Sequence, residues 1–108
     1  VVLVSRNEDE LRKIVGELRD RGGRAEYAVA DVADKDALEK AAAKAREAFG
    51  GFDAWVNDAG ISVYGGMERI PLEDHRRVFE TNYWGAVHGS MIAVREFKAH
   101  GGTLVNIG

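Results

Sequence analysis

The stretch Asp53-Ala54-Trp55-Val56-Asn57-Asp58-Ala59-Gly60 decides the fold. A short apolar run ends abruptly in two polar residues, followed by Ala-Gly. That is the pattern of a buried parallel strand whose carboxyl end opens onto a ligand, because open α/β sheets bind ligands at those strand ends. Ala59 and Gly60 carry so little side chain that a flat ligand can approach the backbone closely.

On either side of this stretch, strand-like and helix-like segments alternate. Val1 to Ser5 reads as a strand buried on both faces. Asn7 then caps a helix whose first turn holds Glu8, Asp9 and Glu10, where the helix dipole favours negative charge. Leu11, Ile14, Val15 and Leu18 form its apolar stripe, and Gly22-Gly23 stops it. Ala25 to Ala30 reads as the second strand. Asp34 caps a second helix with Leu38, Ala41, Ala42, Ala45 and Phe49 on its inner face, ended by Gly50-Gly51.

After Gly60, a Gly-containing loop runs from Ile61 to Ile70. A long helix is expected from about Leu72 to about His100, with Val78, Phe79, Asn82, Ala86, Val94 and Phe97 facing inward. Gly85 and Gly89 each weaken it by up to about 1 kcal/mol relative to Ala, which points to close packing at those positions. Gly101-Gly102 leads into a final strand. Such alternation implies an α/β fold, a parallel sheet with right-handed helical crossovers.

Bulk properties narrow the function. The length of 108 residues allows one domain at most. A net charge of −3 supplies no basic field for nucleic acid. No apolar run approaches the roughly 18 residues of a membrane span. With no Cys, disulfides and thiol chemistry are excluded. His75, His88 and His100 lack metal-ligand spacing and read as structural or solvated; no metal is expected. Tyr83 and Trp84 read as core, with an oligomer contact as the alternative.

Four places carry chemistry. Ser5 stands at the end of the first strand with Arg6 next. An acid at this position of a dinucleotide fold binds ribose hydroxyls, whereas an Arg accommodates a 2′-phosphate through a two-pronged guanidinium. The alternative is a solvated Arg at a helix start. Asp31 follows the second strand; it can accept from an exocyclic amine while the Val32 amide donates to a ring nitrogen, or it can simply shape the turn before Asp34. The corner at Asn57 is the third. The fourth is Asn82, a polar amide on a packed helix face. It either bonds a neighbouring loop or holds a water for proton transfer.

In order and approximate spacing, these features resemble the central part of a short-chain dehydrogenase/reductase. Asn57-Asp58-Ala59-Gly60 resembles the family's Asn-Asn-Ala-Gly signature, with Asp58 in place of the second Asn. Asn82 lies in a Phe-Glu-Thr-Asn context, and Gly-Gly-Thr-Leu-Val-Asn-Ile follows at the expected distance. The resemblance covers residues 1–108. It implies a partial NAD(P)-binding Rossmann domain: an incomplete, doubly wound parallel sheet of four strands and three helices. It also implies an oxidoreductase acting on an alcohol/carbonyl pair of a small molecule, as a cytoplasmic homo-oligomer.

By the same resemblance, Ser5 and Arg6 favour NADP over NAD, and Asp31 and Val32 hold adenine. Asn57, Ala59 and Gly60 line the cofactor near its adenosine, with Asn57 also steadying the middle strand. Asn82 matches the catalytic Asn that anchors a water in a proton relay to a Lys. The family's Gly-rich phosphate loop, catalytic Ser and Tyr-x-x-x-Lys pair have no counterpart here, so the 108 residues alone are expected to be inactive. The rivals are a non-catalytic nucleotide-sensing or scaffold relative and, less favoured, a flavodoxin- or receiver-like signalling module.

A structural expectation follows. In the strand order 3-2-1-4-5-6, the family's first strand lies between this chain's first and third. Strands sit about 4.8 Å apart, so a gap of about 10 Å is expected there, with two open edges.

Overall fold

The structure, a computed structural model, describes all 108 residues. Strand β1 (Val2–Ser5) leads into α1 (Glu8–Asp20), β2 (Glu26–Val29), α2 (Lys35–Phe49) and β3 (Ala54–Asn57). A 3₁₀ turn (Met67–Arg69) precedes α3 (Leu72–Phe79). A π-helical turn (Glu80–Trp84) joins α3 to α4 (Gly85–His100), and β4 (Thr103–Asn106) follows. The expected long helix is therefore one unbroken rod with a π turn inside it.

The helix ends form for local reasons. Asn7 Oδ1 accepts from the Glu10 N–H at 3.2 Å, and an Asp34 carboxylate oxygen accepts from the Ala37 N–H at 3.1 Å. Each such cap is worth about 1 kcal/mol. Gly50 closes α2 in the left-handed region at φ 80°, which costs a glycine nothing sterically.

β1 pairs with β2 in parallel, from Val2 opposite Glu26 to Ser5 opposite Val29. β3 pairs with β4 in parallel, from Ala54 opposite Thr103 to Asn57 opposite Asn106. β1 and β3 do not pair, so the strands form two separate two-stranded sheets. The expected gap is present. It also corrects one expectation: β1 is half-buried throughout rather than buried on both faces, because its β3-facing edge has no neighbour.

Helices α1 and α2 both pack on the β1–β2 pair without touching each other, so they cover opposite faces. α4 packs on β3 and β4 and against α2, and so holds the two sheets together. Ala30, Leu38, Ala42 and Ile92 form the core cluster, with Val4, Phe52 and Trp55 against it. At the α2–α4 seam, Arg46 Nε donates to Glu96 at 3.0 Å and Arg95 grips both oxygens of Glu39. The Arg95 hydrogen bond, against a smaller opposing effect of burial, holds the Glu39 carboxyl below its ordinary range.

The inner face of the long helix differs from its apolar pattern. Thr81, Gly85, Gly89, Ile92 and Ala93 are buried, whereas Phe79 is 67% exposed, Val94 49%, and Asn82, expected on the packed face, is exposed as well. Tyr83 and Trp84 are also exposed, at 55% and 45%, not core. Small residues let the helix axis approach the strands, and the large apolar ones are left outside. An added Cβ on Gly85 would stand 2.5 Å from Val32 Cγ2, and one on Gly89 would stand 2.6 Å from Trp55 Nε1. The close packing inferred from these glycines is real. No helix is long and apolar enough to cross a membrane.

Candidate functional site

Parallel strands place their carboxyl ends on one side, so the polar residues after β1, β2 and β3 converge. Ser5, Arg6, Asp31, Val32, Asn57, Ala59 and Gly60 all line one cleft of about 1480 Å³. Its floor is apolar, formed by Val2, Leu3 and Val4 on one edge and Ala54 and Val56 on the other. Ligand pockets usually measure about 300–1000 Å³. This cleft is larger because it combines the β1–β3 gap with the polar opening above it.

At the β1 end, Ser5 Oγ accepts from the Asn7 N–H at 3.1 Å, which fixes the turn. Arg6 is exposed at the cleft rim and takes part in none of the chain's ion pairs. Its guanidinium is free to meet an anion.

At the β2 end, one Asp31 oxygen accepts from the Ala33 N–H at 2.9 Å and the other from Arg77 Nη2 at 2.6 Å. Burial pushes the Asp31 carboxyl up. The Arg77 hydrogen bond, the Ala33 N–H and the charges of Arg77 and Arg6 outweigh this and hold it below the ordinary range. Asp31 does shape its turn, yet each oxygen keeps a second lone pair. The Val32 N–H has no acceptor within the chain, while the Val32 carbonyl lies 3.0 Å from His88 Nδ1.

At the β3 end, both amide hydrogens of Asn57 are taken. Its Oδ1 accepts from Trp55 Nε1 at 2.7 Å. Its Nδ2 faces Asn106 Oδ1 at 2.8 Å, Ser90 Oγ at 3.1 Å and the Ala86 carbonyl at 3.3 Å. An amide with two hydrogens has none left for a ligand. Asn57 therefore ties β3, β4 and α4 together, and its Oδ1 keeps one lone pair. Asp58 is exposed on the cleft wall and makes no hydrogen bond; nothing in the structure explains a carboxylate there.

Gly60 and Ile61 meet the π turn. Asn82 Oδ1 accepts from the Ile61 N–H at 2.8 Å, and Asn82 Nδ2 donates to the Ile61 carbonyl at 2.8 Å. A Cβ on Gly60 would find only Asn82 Oδ1, at an ordinary 3.7 Å. The chain's own packing thus does not demand glycine at position 60. Asn82 bonds the neighbouring loop, with one amide hydrogen and one lone pair still available. π turns are rare and concentrate at functional sites.

The sequence pattern singles out neither Arg77 nor Thr81, and His88, read as structural or solvated, meets the Val32 carbonyl. Arg77 lies in the last turn of α3. Its signal is spacing: it shares a helix face with Thr81 and Gly85, four and eight residues on. Thr81 is buried with an Oγ1 that has no hydrogen-bond partner. No three His, Asp or Glu side chains gather as a metal site.

Comparison with known proteins agrees with this geometry. The family model for short chain dehydrogenase matches residues 1–108. Over 110 residues the chain is 38% identical to the uncharacterized oxidoreductase YxnA of Bacillus subtilis, covering 100% of this chain and 31% of YxnA. The crystal structure of a short chain dehydrogenase from Mycobacterium smegmatis superposes with a TM-score of 0.92 at 29% identity, covering 98% of this chain and 45% of that one. A gluconate 5-dehydrogenase from Burkholderia cenocepacia, in complex with NADP and tartrate, superposes with a TM-score of 0.85 at 27% identity, covering 97% and 42%. The chain spans less than half the length of each. With its strand ends, cleft and helix accounted for along the whole chain, the protein belongs to the short-chain dehydrogenase family.

Proposed function

We propose that these residues form the adenosine-binding part of a longer oxidoreductase that interconverts a small-molecule alcohol and carbonyl, with NADP(H) preferred over NAD(H). The observation that carries this reading is that Arg6, Asp31, Val32 and Gly60 line one cleft, with Arg6 in none of the ion pairs and its charge acting on Asp31. The residues fit the group: Arg6 meets a 2′-phosphate, with Ser5 beside it. Asp31 accepts from the adenine amine and the Val32 N–H donates to the ring. Gly60 and Ala59 leave room for the adenosine. The bound dinucleotide supplies or accepts the hydride.

The protein's own contribution is binding, orientation and proton handling. Asn57 fixes β3 at the edge of the cleft. Asn82 holds the Gly60–Ile61 loop on the π turn, and its remaining hydrogen and lone pair orient a water for the proton relay. The β1–β3 gap fits one further parallel strand of the longer protein. The exposed Phe79, Tyr83, Met91 and Val94 on the long helix support self-association; a strictly monomeric full-length protein in sedimentation velocity contradicts that part.

A non-catalytic nucleotide-binding relative has one observation in its favour: Asn82 already has a structural task at Ile61. Turnover separates the two. The full-length protein, given NADP⁺ and a panel of secondary alcohols, is expected to produce reduced nicotinamide absorbance. Tight NADP⁺ binding with no turnover of any alcohol or carbonyl contradicts the enzyme reading.

A further inference from the structure

We propose that Arg77 is a positioning residue for base recognition: it holds the Asp31 carboxylate in the orientation that accepts from the adenine amine. The inference rests on the dinucleotide reading above and extends it to a residue on a different element.

Asp31 sits in a four-residue link between β2 and the α2 cap, where its carbonyl accepts from the Asp34 N–H. A carboxylate on such a link rotates freely unless it is held. Two donors hold it from opposite sides: the Ala33 N–H on one oxygen at 2.9 Å and Arg77 Nη2 on the other at 2.6 Å. Charge-assisted bonds of this length are the stronger kind. They fix the plane of the carboxylate and leave its outer lone pairs for a ligand.

The same helix fixes Val32. Gly85 admits the Val32 side chain against the helix backbone, and His88 meets the Val32 carbonyl at 3.0 Å. Both halves of the base-reading corner are thus set by one helix face, and the Val32 N–H remains open. Arg77 and Asp31 are each about one-third exposed, so the pair is not simply a buried core contact. As a contribution to stability alone, a pair this exposed is worth little. Its geometry matters more for where the carboxylate points.

The test uses the full-length protein and two probes: NADPH and its analogue with unsubstituted purine in place of adenine, which lacks the 6-amine but keeps the ring nitrogens as acceptors for the Val32 N–H. The unaltered protein is expected to prefer NADPH by about tenfold or more, the worth of a hydrogen bond to a charged acceptor. Arg77→Ala is expected to reduce that preference to within about threefold while kcat at saturating NADPH stays unchanged. Arg77→Lys, which keeps the charge and a donor, is expected to retain most of it. Should Arg77→Ala not fold, Arg77→Gln is read in its place, with the same loss expected.

A preference that stays tenfold in the Ala or Gln variant, whatever happens to melting temperature, overturns the proposal and makes Arg77 merely structural. Equal binding of both bases by the unaltered protein overturns it too. Binding of neither probe removes the dinucleotide reading itself, a distinct result.

Discussion

Asn82 grips Ile61 by both of its backbone polar groups, with two hydrogen bonds of 2.8 Å. One side chain in the π turn thereby imitates a strand partner for a loop residue that follows Gly60. The π turn and the loop after Gly60 are tied together.

Asn82→Ala removes both bonds. At about 0.5–1.5 kcal/mol each, the loss of stability is expected to be about 1–3 kcal/mol. Asn82→Asp keeps the acceptor but turns a negative charge toward the Ile61 carbonyl, and is expected to be at least as damaging. Urea unfolding of the full-length protein measures both. Exchange of the Ile61 amide proton should quicken in each variant; an unchanged rate contradicts the grip.

The two helical glycines Gly89 and Gly16 make opposite predictions. A Cβ on Gly89 collides with Trp55 Nε1 and Asn57 Oδ1 and disrupts the bond between them. Gly89→Ala is expected to destabilise by about 1–3 kcal/mol. A Cβ on Gly16 meets nothing within 4 Å. Gly16→Ala in α1 is expected to stabilise by about 0.5–1 kcal/mol, the helix propensity difference. Equal effects at the two sites contradict the packing described.

Asp31 gives a pH signature. Its carboxyl is held below the ordinary range in the folded chain, whereas an unfolded Asp titrates near about 3.9. A depressed folded value adds stability above the unfolded pKa, and that stability is lost as pH falls through the folded value. The stability gap between the natural sequence and Asp31→Asn is therefore expected to be full above about pH 5 and to close as pH falls below about 4. Denaturant titrations from pH 7 to pH 3 check this. A constant gap contradicts it.

The open edges of β1 and β3 carry their own prediction. Val56 is 56% exposed on a strand end, and the cleft floor between the edges is apolar. A polypeptide of residues 1–108 alone is expected to bind a hydrophobic dye and to associate through these edges. A monomer silent to the dye contradicts the gap.

The strand ends were legible because apolar runs stop at polar residues, and Asn7 and Asp34 were legible as caps because they precede amphipathic runs. The β1–β3 gap followed from the resemblance and the strand order it carries. The π turn was not legible: Glu80 to Trp84 contains no residue that breaks a helix. Phe79 and Val94 misled because hydrophobicity marks a face, whereas close approach is made by Thr81, Gly85 and Gly89. Arg77 was hidden for another reason. Its partner Asp31 lies 46 residues away, and local pattern cannot show such a pairing. That Asn57 steadies its strand was legible, but only the contacts with Ser90, Ala86 and Asn106 show that its amide hydrogens are taken.

The most direct test is a titration of the full-length protein with NADPH and NADH, repeated on Arg6→Ala. A free guanidinium meeting a 2′-phosphate is expected to give NADPH an advantage of about 10- to 100-fold, which Arg6→Ala removes while NADH affinity barely changes. Tighter binding of NADH, or an NADPH advantage that survives loss of Arg6, contradicts the assignment of the cleft.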